Sequence, residues 1–307
     1  MSKVTASAPA GYAANDISFR NWGLAISTLM NDAGLTKTAD TGQIDWSTVL
    51  KPTTTNALVG YEIRKLANST LGDIYFRIEY RSGTYSSGNN SFLRISCGSA
   101  TDGAGNISGG MPGNPGFDTI IQGSSARSST THFNSYCFVD EGTFVLALNP
   151  ANSTSTNFYN DLFIFARTSD SDGTYNNNGA LILYNGTPSC QTYFRYWSIE
   201  LNTLAAFTTT LANPVCFVYP YSLIQASIEY ETNGVVSVME HLTPSSNWHK
   251  NVVAVNAADA PGGAELSAIV LGEEHTYLSL GVQHVGIFGG ANGNNSNVKG
   301  SLAILWD

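Results

Sequence analysis

Five histidines, four cysteines and a few paired acids are the residues of this chain best suited to chemistry, and their spacing decides what they can do. His132, His241, His249, His275 and His284 are dispersed. His241 and His249 stand eight apart around a Pro-Ser-Ser-Asn loop, and His275 follows Glu273-Glu274. A zinc protease helix needs HExxH, with two imidazoles one turn apart on one face. No such pair occurs, so solvated or packed histidines are expected. Cys97, Cys137, Cys190 and Cys216 include no CxxC, and the nearest two are 26 positions apart (216 − 190). That spacing suits neither a zinc knuckle nor a redox pair. Cys97, Cys137 and Cys216 sit in apolar, strand-like runs, where buried free thiols are expected; a disulfide is the alternative.

Asp170-Ser171-Asp172-Gly173-Thr174 starts like a calcium loop, with oxygen ligands at alternate positions. Its sixth position is Tyr175 and its twelfth Leu181, where such a loop needs Gly and Glu. A hairpin turn is the simpler reading, with a structural calcium as the alternative. Gly105-Asn106-Ile107-Ser108-Gly109 places its serine one position late for a nucleophile elbow and follows no clean strand. Glu229/Glu231 and Glu273/Glu274 are acids close in sequence, but glycoside hydrolysis needs two carboxyls held ~5–9.5 Å apart across a cleft. The 15 Tyr, 14 Phe and 5 Trp could stack on sugars, yet most fall in strand-like runs and read as core. No catalytic, cofactor-binding or metal-binding residue is therefore assigned, and the chain is expected not to be an enzyme.

The elements that would hold these groups are mostly strands. Phe19, Trp22, Ile26, Leu29, Met30 and Ala33 form one stripe of period 3.6, which predicts a helix over 16–33. Asp16 or Ser18 can cap its start, and Gly34-Leu35 is a Schellman-type stop. After it the period becomes two. Ile74, Phe76, Ile78 and Tyr80 alternate with Tyr75, Arg77 and Glu79, a half-buried strand. The runs 92–97, 135–139, 143–148, 162–168, 180–184, 193–199, 215–219, 223–229, 235–242, 268–271, 282–288 and 301–306 continue the series, with Glu141-Gly142 as a tight turn. Residues 98–123 read as one long loop, and 201–214 as a short helix or connector. The expected class is mainly β, a β-sandwich or jelly-roll-like architecture with one N-terminal α-helix packed on a sheet. Residues 1–15 read as an extended N-terminal arm. Residues 16–307 read as a single elaborated β domain, with a candidate subdivision near 200–214.

Charged residues make up 12% of the 307, about half the usual ~25%, while apolar content is an ordinary 42%. The polar surface must then come from Ser, Thr, Asn and Gly. Net charge is −9, and the nearest approach to a basic cluster is Arg64-Lys65. Counterion release needs several convergent cations, so nucleic acid is not an expected partner. No run approaches 18 apolar residues, so no membrane span is expected, and the first ten residues lack the apolar core of a signal peptide.

The order from the 16–33 helix through Gly34-Leu35-Thr36-Lys37 and Gln43-Ile44-Asp45-Trp46, then Gly60-Tyr61-Glu62-Ile63, the strand 74–80 and the loop Asp102-Gly103-Ala104-Gly105, resembles a group of virion-associated proteins encoded in the structural modules of tailed bacteriophages. The resemblance covers about residues 16–110. It implies a virion structural component of the tail, baseplate, collar or capsid decoration, and it transfers no functional residue. The expected partners are other virion proteins and further copies of the chain in a homo-oligomer. The expected location is the virion, after synthesis in the host bacterial cytoplasm. The arm 1–15, ordered on a neighbouring subunit, and the loops 98–123 and 289–297 are the expected contact surfaces. The alternative is a receptor- or glycan-binding, lectin-like module on the particle that meets a host surface glycan. A polysaccharide depolymerase is a third reading.

Overall fold

The structure, a computed structural model, describes residues 2–9, 16–51, 57–82, 91–109, 117–119, 132–150, 161–170, 174–185, 192–198, 203–206, 238–239, 252–255, 265–270, 273–283 and 300–306. Those residues are mainly β with one helix, as the alternation of apolar residues predicts. The chain forms two compact units, residues 1–163 with 184–189, and residues 164–183 with 190–307. The chain passes between the two units at 163/164, 183/184 and 189/190.

The first unit carries β1 (Ser2–Pro9), α1 (Asp16–Asp32), β2 (Thr36–Lys37), β3 (Leu58–Leu66), β4 (Ile74–Ser82), β5 (Ser91–Gly98), β6 (Ala100–Thr101), β7 (Ile107–Ser108), β8 (Phe117–Thr119), β9 (His132–Val139) and β10 (Thr143–Pro150). All six apolar residues of the helical stripe are buried. The helix ends as a Schellman motif. Gly34 takes φ 96°, its N–H donates to Asn31 O at 2.9 Å, and Leu35 N–H donates to Met30 O at 2.9 Å. Asp16 is the first helical residue, and its carboxylate accepts from Lys51 N–H at 2.8 Å, tying the return loop to the helix start.

One sheet has the order β2-β3-β4-β5-β8, with antiparallel pairing throughout. On β4, Ile74, Phe76, Ile78 and Tyr80 face the core. Tyr80 meets α1 and the following loop, with Trp22 at 5.9 Å and Trp46 at 4.6 Å, both edge-on. Phe76 meets Phe144 of β10 edge-on at 5.0 Å, so one face of β4 serves both the helix and a second sheet. Such aromatic pairs add ~0.5–1.5 kcal/mol beyond burial. Gly23 of α1 admits Trp46: a Cβ there would lie 1.8–2.4 Å from the six-membered ring.

In the second sheet β9 lies between β1 and β10. The Glu141-Gly142 turn is present, closed by the Asp140 carboxylate, which accepts from the N–H groups of Gly142 at 2.9 Å and Thr143 at 2.7 Å. The expected arm is strand over Ser2–Pro9 and pairs with β9 of its own chain, from Ser2 opposite Val139 to Pro9 opposite His132. The backbone groups expected to wait for a neighbouring subunit are thus satisfied within the chain. The expected loop 98–123 contains β6 and β7, paired as a small ribbon, and β8.

The second unit begins within β11 (Asp161–Ser169) and holds β12 (Tyr175–Asn185) as far as Leu183, β13 (Thr192–Ser198), β14 (Thr203–Ala206), β15 (Val238–Met239), β16 (Val252–Val255), β17 (Glu265–Val270), β18 (Glu273–Gln283) and β19 (Gly300–Leu305). Residues 203–206 are strand rather than helix, because they complete antiparallel pairing with 195–198. β19 lies between β16 and β18, and Trp306 N–H donates to Thr276 O at 2.8 Å. The expected strands 215–219 and 223–229 and the loop 289–297 lie outside the described residues, and 235–242 and 282–288 do so in part.

Candidate functional site

Strand β3 carries an inverted pattern. Glu62 and Arg64 point to the core, where α1 covers them, while Tyr61 and Ile63 point to the opposite face. Both charged side chains are 0% exposed and pair at 2.8 Å. Burying an ion pair is tolerated only when the remaining polar atoms are satisfied. Here they are. Glu62 Oε1 accepts from Ser27 Oγ at 2.7 Å and Trp46 Nε1 at 3.3 Å, and Oε2 accepts from Arg64 Nε and Nη2 and from Tyr80 Oη at 3.4 Å. Arg64 also donates to Asn31 Oδ1 at 2.6 Å, Leu35 O at 3.0 Å and Ser27 O at 3.0 Å. Lys37 Nζ stands 3.7 Å from Glu62 Oε1 at the solvent side. Burial, and then the Glu62 charge, push the Tyr80 hydroxyl well above its ordinary pKa, so it stays a neutral donor. The cluster welds the helix to the sheet.

The opposite face of the sheet carries a second constellation. Arg77, Glu79 and Arg81 alternate along β4, and Arg77 Nε and Arg81 Nη1 donate to the two oxygens of Glu79 at 2.9 and 2.6 Å. Register places Tyr61 and Arg94 on either side of Glu79. The Arg77 guanidinium lies 4.0 Å from the Tyr61 ring centroid, a cation–π contact, and donates to Gly105 O. Tyr61 Oη donates to Thr41 O at 2.8 Å, and Ala104 O lies 3.2 Å from the same hydroxyl. Two loops therefore close over the end of β3. Asp40 joins them, accepting from Thr38 Oγ1, Thr101 Oγ1 and the Gly105 N–H. Burial opposes the Asp40 charge, but the hydrogen bonds from Thr101, Thr38 and Gly105 together outweigh it and hold the carboxyl below its usual value. Asp102 is held low by Asn106 and by turn N–H groups.

Among the described residues, those singled out from spacing do not come together. His275 lies in β18, 6.3 Å edge-on from Tyr277, and Glu274 accepts from Ser267 Oγ at 2.6 Å. His132 opens β9. His241, His249, His284, Glu229, Glu231, Cys190 and Cys216 lie outside the described residues. Cys97 and Cys137 are buried free thiols, and burial pushes both thiols up, away from reactivity. Asp170 N–H donates to Thr174 O at 2.8 Å and its carboxylate accepts from Asn176 Nδ2, while Ser171, Asp172 and Gly173 lie outside the described residues. Ser108 sits in the β6–β7 ribbon. Among the described residues, no group of three His, Cys, Asp or Glu side chains is placed to hold a metal ion.

Sequence reasoning passed over the Arg77–Glu79–Arg81–Arg94 array because it looked for cations adjacent in sequence. Antiparallel pairing gathers cations two apart on one strand with those opposite on the next. In both constellations carboxylates are met by internal cations: Glu62 by Arg64, and Glu79 by Arg77 and Arg81. No protein-family model, curated protein or solved structure matches this chain.

Proposed function

We propose that this chain is a structural component of a tailed-bacteriophage virion that acts through subunit–subunit contacts. The observation that carries the reading is how the segment bearing the resemblance, about residues 16–110, uses its charges. Glu62, Arg64, Asp40 and Arg77 each bond across elements of the same unit. That leaves a surface governed by Ser, Thr, Asn and Gly in a chain that is only 12% charged. Such surfaces pack in repeated copies with little charge repulsion, and many weak contacts then add. The glycan-binding alternative gains nothing from Tyr61, because Arg77 occupies one face of its ring.

The test is mass spectrometry of purified phage particles from a lysate in which the chain is made, with imaging of particles bearing a tagged copy. Stoichiometric presence at a fixed position supports the role. Absence from purified particles, or polysaccharide cleavage by the purified chain, overturns it.

A further inference from the structure

We draw no further inference here: the strongest candidate, the uncharged exposed stripe Ile17, Asn21, Leu24 and Thr28 along α1, carries nothing, because nothing in the structure shows what covers it.

Discussion

Replacing Glu62 with Gln isolates the value of one buried charge. The amide keeps the shape and an acceptor oxygen for Ser27 and Trp46, but leaves Arg64, also fully buried, without its counterion. Removing one partner of a buried pair costs about 3–5 kcal/mol. At ~1.4 kcal/mol per tenfold, opening of this region becomes roughly 10²- to 10⁴-fold more frequent. Hydrogen exchange read by mass spectrometry on peptides from α1 and β3 measures that directly. R64M loses bonds to Asn31, Leu35 O and Ser27, but Lys37 at 3.7 Å still offsets the Glu62 charge. The double variant E62L/R64M removes both charges, and is expected to be less destabilised than E62Q, because no uncompensated ion remains. E62Q exchange within threefold of the wild-type rate, or a double variant worse than the two single changes combined, would refute the argument that desolvated charge governs this junction.

Gly23→Ala gains about 1 kcal/mol of helix propensity but drives a methyl into the Trp46 ring, so the thermal midpoint falls; a rise would show that Trp46 does not lie on the helix. Ser135 Oγ is buried without a hydrogen-bond partner, so Ser135→Ala is neutral or stabilising by up to about 1–3 kcal/mol in urea unfolding, against the loss expected of a satisfied hydroxyl. Asp40 has its folded pKa lowered, so its contribution is complete above the ordinary aspartate range and is lost as pH falls through the folded value. Asp40→Asn should therefore flatten the acid limb of stability; an unchanged limb counts against the Thr38–Thr101–Gly105 cradle. Tyr61→Phe removes the hydroxyl that ties the two loops and costs about 0.5–1.5 kcal/mol, read as faster exchange in residues 101–106.

The helix was legible because its information is local. Six apolar residues at one period and a glycine stop fixed its face, and Phe19, Trp22 and Ile26 are core as that pattern requires. Strands β4, β9 and β10 were legible for the same reason, through alternation and the Glu141-Gly142 turn. Strand β3 was not: with Glu62 and Arg64 inside, its alternation reads inside out, and only the approach of Ser27, Asn31 and Leu35 makes that arrangement affordable. The role of Gly23 depends on Trp46, 23 positions on, which no helical pattern encodes. The arginine array on the far side of β4 depends on register, a property of strand pairs rather than of any one run.

The long reach from β1 to β9 also has a consequence in time. His132 follows Pro9 by 123 positions (132 − 9). At ~5–20 residues per second, the ribosome adds those positions in about 6–25 s. During that interval every new chain displays a finished strand whose partner has not yet been made. On a polysome, chains further along already display β9. The order of synthesis therefore leaves β1 open to pairing with the β9 of a chain further along before its own β9 exists, and spacing between ribosomes becomes a variable in whether β1 waits for its own partner.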